Sequence, residues 1–144
     1  LSVPQITPLP VRDLAEDDAH LYLWTTQRYL RDALDIAEVW GFTPASTLVW
    51  AKAPRGWTPG GTFMSTVEFV LFCRRGSLPA RTRVRSQWFD WPRRAHSEKP
   101  EAFIDLVEQV SPGPYVELFA RRHRLGWDVW GNESANTAAL VYQT

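Results

Sequence analysis

Two hydrophobic rhythms alternate along the chain. His20-Leu21-Tyr22-Leu23-Trp24 is a short apolar run that follows the acidic triplet Glu16-Asp17-Asp18. The triplet reads as a turn and the run as a buried strand. Between Gln27 and Trp40, Leu30, Ala33, Leu34 and Ala37 recur at i, i+3, i+4 and i+7, which predicts a helix with one buried stripe. Gly41 is placed to end it. Ser46–Ala51 (STLVWA) and Val67–Cys73 (VEFVLFC) predict two more strands. Between them, residues 53–66 hold two Pro and three Gly, a loop of the length that is usually functional in a compact domain. Residues 74–97 carry no clear period. Lys99–Val110 predicts a second helix, with Pro100 in its first turn and Phe103, Leu106, Val107 and Val110 as its stripe. Ser111-Pro112-Gly113-Pro114 ends it. Tyr115–Ala120 and Trp127–Trp130 predict the last strands.

Strands separated by helices and long crossovers predict an α/β fold, a mostly parallel sheet covered by helices. The 144 residues suit a single domain, 1–144. Ligands of such sheets bind outside the carboxyl ends of the strands. That rule nominates Trp24-Thr25-Thr26, Ala51-Lys52, Arg74-Arg75, Arg121-Arg122-His123 and Gly131-Asn132-Glu133. The chain has no internal repeat, no Walker loop, no GxSxG elbow, no HExxH and no GxGxxG.

Composition narrows the classes. With 44% hydrophobic and 13% aromatic residues, the chain has the material for a core and is not a disordered sequence. No run of 18 apolar residues offers a membrane span and no signal pattern occurs in residues 1–20, so the expectation is a cytoplasmic protein with no membrane partner. Cys73 is the only cysteine, which excludes an intrachain disulfide and a Cys-based zinc site, and no metal is expected.

Net charge is zero, but it is unevenly distributed: −4 over residues 1–50, +7 over 51–97 and −3 over 98–144. Fourteen of the 16 basic residues are Arg, and only Lys52 and Lys99 are Lys. Arg74, Arg75, Arg81, Arg83, Arg85, Arg93 and Arg94 are interleaved with Trp88, Phe89 and Trp91 and accompanied by a single acid, Asp90. Arg among aromatics is the composition of a surface that holds phosphates and stacks bases. It is also that of a solvated loop packing guanidinium groups on rings. Glu68, one residue into an apolar strand, needs a specific partner or a site role. Arg121 and His123 follow a strand end, where they can reach a ribose or a carboxylate, or form an ordinary basic turn. Asn132 can donate to and accept from a hydroxyl, or simply occupy a turn. Lys99 can hold a small carboxylate or stand in solvent. His20 reads as a strand-entry residue without chemistry and Cys73 as a small core residue.

In order, the chain carries LYLWTT (21–26), VWGF (39–42), TLVWAK (47–52), a Gly-rich loop, VEFVLFCRRG (67–76), HSEKPEAFIDLVEQVSPG (96–113), ELFARRH (117–123) and GWDVWGNE (126–133). Together these resemble the MT-A70 family of S-adenosylmethionine-dependent adenine methyltransferases. The resemblance spans nearly all of residues 9–133. It implies a Rossmann-like methyltransferase sheet with permuted motif order, S-adenosylmethionine as cofactor, and methylation of the 6-amino group of adenine in DNA or RNA. By this similarity, Arg121, His123, Asn132 and Glu133 lie around the cofactor's ribose, and Glu117 also binds the cofactor. Lys99 lies near its methionine carboxylate or the target base. Lys52 and Glu68 face the target adenine, the 53–66 loop closes over it, and the basic segment 74–97 contacts the nucleic-acid backbone.

The family's catalytic motif, Asp-Pro-Pro-Trp or Asn-Pro-Pro-Tyr, does not occur in this chain. Its role is to hydrogen-bond the poorly nucleophilic adenine amine and to stack on the base. Residues 1–14 look like the segment that follows it, so the expectation places it upstream of Leu1. The alternative is a non-catalytic methyltransferase-fold subunit that binds nucleic acid and partners an active enzyme. Retention of both the cofactor-side and target-side residues argues for the enzyme. The family's aromatic–Arg pair in the loop is represented here by Phe63 alone. Arg-rich usage points to a GC-rich bacterium or its phage, and so to DNA rather than RNA. A homodimer or a related subunit is a possible partner.

Overall fold

The computed structural model describes residues 3–52, 61–92, 100–118, 127–128 and 135–141. It is a mixed α/β fold built on a seven-stranded sheet in the order β4-β2-β3-β1-β7-β5-β6. The strands are β1 (Ala15–Thr25), β2 (Thr43–Ala51), β3 (Val67–Arg75), β4 (Trp88–Phe89), β5 (Tyr115–Leu118), β6 (Trp127–Asp128) and β7 (Ala135–Val141). The helices are two single turns, α1 (Val3–Ile6) and α2 (Val11–Leu14), then α3 (Leu30–Val39), entered through a 3-10 turn at Gln27–Tyr29, and α4 (Glu101–Val110).

The pairings fix the strand directions. β3 is antiparallel to both β1 and β2, while β1–β7, β5–β7, β5–β6 and β2–β4 are parallel. Among the described strands, six therefore point one way and β3 points back. The expected mostly parallel sheet is present, with one reversal at its middle.

Both expected helices have their physical signatures. Ala33, Ile36 and Ala37 of α3 are buried, with Leu30 and Leu34 packed at the margin. Gly41 adopts φ +87°, and the Phe42 and Gly41 N–H groups bond to the carbonyls of Ala37 and Glu38 at 2.9 Å. This is a glycine C-cap, available because glycine has no Cβ to clash in the left-handed region. In α4 the buried set is Phe103, Ile104 and Val107, with Leu106 and Val110 half-buried. Its stripe is rotated slightly from the expected one.

Three expectations are corrected. Glu16-Asp17-Asp18 is not a turn but the exposed start of β1, and Asp18 Oδ1 instead accepts the Ser77 N–H at 2.8 Å, closing the turn after β3. β4 lies inside the segment expected to be irregular. β7 lies in a stretch to which no element was assigned, yet it sits between β1 and β5. Its sequence, ANTAALV, is rich in Ala, which signals a strand poorly, and its place comes from pairing on both sides.

The sheet separates two apolar layers. Side chains alternate across a strand, so Leu21, Leu23, Leu71 and Cys73 face α3, while Tyr22, Trp24, Trp50 and Val70 face α4 with Phe103 and Val107. β1, buried on both faces, is accordingly an unbroken apolar run from Leu21 to Trp24.

Candidate functional site

The carboxyl edge of the six co-directed strands is reached by Thr25, Ala51, Phe89 and Leu118, and β3 enters the sheet there at Val67. The reversal of β3 decides which charged residues share this edge. Glu68, at its beginning, pairs with Trp50. Arg74 and Arg75, at its end, pair with His20 and Ala19 near the opposite edge. The rule that nominated Arg74-Arg75 with the other carboxyl ends therefore does not apply to them.

At the carboxyl edge the chain builds a tight polar group on an aromatic floor. Lys52 Nζ lies 3.3 Å from Glu68 Oε2. Trp24 Nε1–H donates to Glu68 Oε1 at 2.7 Å. The Lys52 side chain is 8% exposed and that of Glu68 19%. The Lys52 backbone N–H donates to the Thr66 carbonyl at 2.7 Å, so the base of the 53–66 loop is clamped beside the pair. Trp24 is itself fixed by edge-on packing against Phe103 (4.9 Å, 89°) and Trp50 (5.4 Å, 75°). Trp50 Nε1–H donates to the Trp91 carbonyl at 2.9 Å, and Trp91 stacks on Phe89 at 4.5 Å. A carboxylate so oriented and mostly shielded from water can accept a hydrogen bond from an amine.

Lys52 and Glu68 thus meet, as sequence reasoning grouped them. It missed Trp24 as their partner. The available signal was parity: with β1 antiparallel to β3, Trp24 and Glu68 fall on one face in adjacent strands, but only the register reveals this.

The other expected residues that are described are dispersed. Glu117 is half-buried near the carboxyl end of β5, with β7 and β1 between it and β3. Arg74 donates to the Leu78 carbonyl at 2.8 Å and lies over the Phe72 ring, and Arg75 donates to the Arg12 carbonyl and lies over Phe42. Arg81 is docked on the end of α4, its backbone N–H on Val110 O and its guanidinium on Glu108 O. Arg83 and Arg85 are exposed. In the loop, residues 61–66 are described, and Phe63 is 87% exposed. Lys99, Arg121, His123, Asn132, Glu133, Arg93 and Arg94 lie outside the described residues.

A second polar group lies on the same sheet face near the opposite edge. His20 is fully buried: its Nε2–H donates to the Leu78 carbonyl (2.9 Å), so Nδ1 accepts from the Ser111 hydroxyl (2.7 Å). The Tyr22 hydroxyl then donates to Ser111 Oγ at 2.7 Å. Burial lowers the His20 pKa below 6.5, aided by the neighbouring Arg74 charge, and raises that of Tyr22 to about 12. This fully paired network pins the 76–80 turn and the end of α4 to the sheet. His20, expected as a strand-entry residue, instead lies within β1 and has a structural role that the sequence did not reveal. Burial also pushes the Cys73 thiol up to about 12, leaving an inert core residue.

The sequence has known relatives. Residues 1–133 match the MT-A70 family model. The type II methyltransferase M.MunI of Mycoplasma sp is 35% identical over 137 residues, covering 92% of this chain and 58% of that protein. The N(6)-adenosine-methyltransferase MT-A70-like protein of Drosophila melanogaster is 27% identical over 128 residues, and the N(6)-adenosine-methyltransferase catalytic subunit METTL3 of Homo sapiens 26% over 128. Each covers 82% of this chain, which spans only 21% and 22% of their lengths. With the family pattern matched across nearly the whole chain and a relative above 30% identity, this protein belongs to the MT-A70 family.

Proposed function

We propose that this chain is an S-adenosylmethionine-dependent methyltransferase that modifies the 6-amino group of adenine in nucleic acid, DNA rather than RNA. The observation that carries the reading is the Trp24–Glu68–Lys52 group at the carboxyl edge of a mostly parallel sheet, in a family whose relatives include named N(6)-adenosine-methyltransferases. The 35% identity to a type II methyltransferase favours DNA. The sheet is read as a Rossmann-like methyltransferase sheet in permuted motif order.

The adenine amine is a weak nucleophile because its lone pair is delocalised into the ring. Glu68 accepts one N–H of that amine and so raises electron density on nitrogen. Lys52 balances the carboxylate's charge, and Trp24 holds its second oxygen. When bound, S-adenosylmethionine supplies an electrophilic methyl group. The described residue on its side is Glu117, a carboxylate suited to ribose hydroxyls. Three strand spacings separate β5 from β3, roughly 14 Å, room for two ligands side by side. Lys99, Arg121, His123, Asn132 and Glu133 complete the cofactor side in this reading, and Arg81, Arg83, Arg85, Arg93 and Arg94 the nucleic-acid side. Arg74 and Arg75, held on backbone carbonyls near the far edge, contribute positive field rather than contacts at the reacting base.

The test is calorimetric binding of S-adenosylmethionine together with transfer of a labelled methyl group to DNA, the product nucleoside identified by mass spectrometry. Cofactor binding with label on the adenine amine is expected. A protein that binds neither cofactor nor nucleic acid overturns the reading. One that binds nucleic acid without transfer is the non-catalytic subunit instead.

A further inference from the structure

The α4 side of the sheet holds a cavity of about 540 Å³ that the target-base group does not use. It begins two residue pairs below Trp50 and Glu68, at Leu48, and runs along β2 and β3 past Phe72 towards Arg74. Leu106 and Val110 of α4 form one wall and residues 80–87 the other. Leu48 and Phe72 are only half-buried and form an apolar floor. The rim is polar: Arg83, Ser86 and Gln87, with Gln87 fixed by its Nε2–H on the Thr47 carbonyl at 3.1 Å.

Among the described residues, two Arg line the cavity and no acid does. Arg81 and Arg85 stand beside it in sequence, and residues 76–89 contain no Asp or Glu. The volume falls in the range of small-molecule sites, which combine apolar walls with a few placed polar groups. An apolar cavity with an amide and a guanidinium at its rim suits a heteroaromatic ring carrying a phosphate. The cavity also connects to the candidate site through rings: Phe89 lines it and stacks on Trp91, which packs against Trp24, the partner of Glu68.

We propose that this cavity is a second nucleotide subsite, holding a base that neighbours the target, with the base against Leu48 and Phe72 and its phosphate at Arg83. This deepens the reading of the previous section and rests on its nucleic-acid substrate. The test measures binding of a fluorescent single-stranded DNA oligonucleotide, and separately of adenosine monophosphate, to the wild type and to Leu48→Trp and Arg83→Gln. Leu48→Trp fills the cavity from its floor; Arg83→Gln changes an exposed side chain and keeps the test usable if the first variant does not fold. S-adenosylmethionine affinity is followed in parallel.

Loss of about tenfold in oligonucleotide affinity is expected for Leu48→Trp, the scale of one base stack, with a smaller loss for Arg83→Gln. Oligonucleotide and mononucleotide affinities unchanged in both variants overturn the subsite and leave the methyltransferase reading standing. Variant-sensitive binding of adenosine monophosphate alone supports the nucleotide site and assigns it to a free nucleotide. Variant-sensitive oligonucleotide binding in a protein with no S-adenosylmethionine affinity supports the subsite while overturning the methyltransferase reading.

Discussion

The indole of Trp24 donates to the carboxylate of Glu68 at 2.7 Å, joining two strands that are 44 residues apart in the chain. A buried ring with one polar atom thereby sets the direction of a carboxylate. Trp24→Phe keeps most of the packing on Phe103 and Trp50 and removes only the donor. Stability is expected to fall by about 1–3 kcal/mol, the cost of leaving a shielded acceptor without its partner. Methyl transfer is expected to fall through kcat more than through KM for cofactor. Unchanged transfer in a folded Trp24→Phe protein would show that Glu68 orientation is immaterial.

Lys52 and Glu68 form a pair that is shielded but not sealed. Lys52→Met removes the ammonium that lies 3.3 Å from the carboxylate. Such losses reach about 3–5 kcal/mol in a fully buried pair, and the residual exposure of Glu68 lowers the expectation to roughly 2 kcal/mol. The double variant Lys52→Met/Glu68→Leu is expected to be more stable than the sum of the two singles implies. Denaturant melts of the four proteins measure the coupling, and strict additivity would mean the pair contributes nothing.

His20 gives the fold a pH dependence of known sign. Its pKa is lowered in the folded state, chiefly by burial, and it is protonated more readily in the unfolded chain. Its contribution is complete above pH 6.5 and is lost as pH falls from there through the folded pKa. The slope is at most about 1.4 kcal/mol per pH unit for one group. His20→Gln is expected to be less stable at neutral pH and to flatten this slope. A slope unchanged by the substitution would assign the acid sensitivity elsewhere.

Gly76 sits at φ +69°, and a Cβ there meets the Asp18 carboxylate and the Asp17 carbonyl. Gly76→Ala is expected to lower stability by more than about 1 kcal/mol, since it combines a disfavoured backbone region with a backbone clash. It should also release the Asp18–Ser77 bond. A melting temperature equal to wild type would refute this.

Binding of nucleic acid by the basic segment has a salt signature. Replacing Arg81, Arg83 and Arg85 with Gln should flatten the slope of log affinity against log salt by about three units at most. Arg81, already docked on α4, is expected to contribute the least of the three. Affinity that does not respond to salt would remove this segment from the interface.

Much of this protein is legible in the amino-acid sequence, because local physics writes it there. The apolar run of β1, the stripe of α3 with its Gly41 stop, and Pro100 at the head of α4 are short-range signals, each readable within about one turn or strand. The ordered motifs likewise identified the family and grouped Lys52 with Glu68. Tertiary structure decided what depends on pairing between distant segments. Antiparallel β3 sends Glu68 to one edge of the sheet and Arg74 and Arg75 towards the other, although all three follow one another in a single strand. Ala-rich β7 owes its place to its neighbours on both sides. Trp24 becomes the partner of Glu68, and the cavity forms below them, only once β1, β2 and β3 are in register. A side chain's type is written locally, but its direction and company come from strand order and register, which residues far apart in sequence settle together.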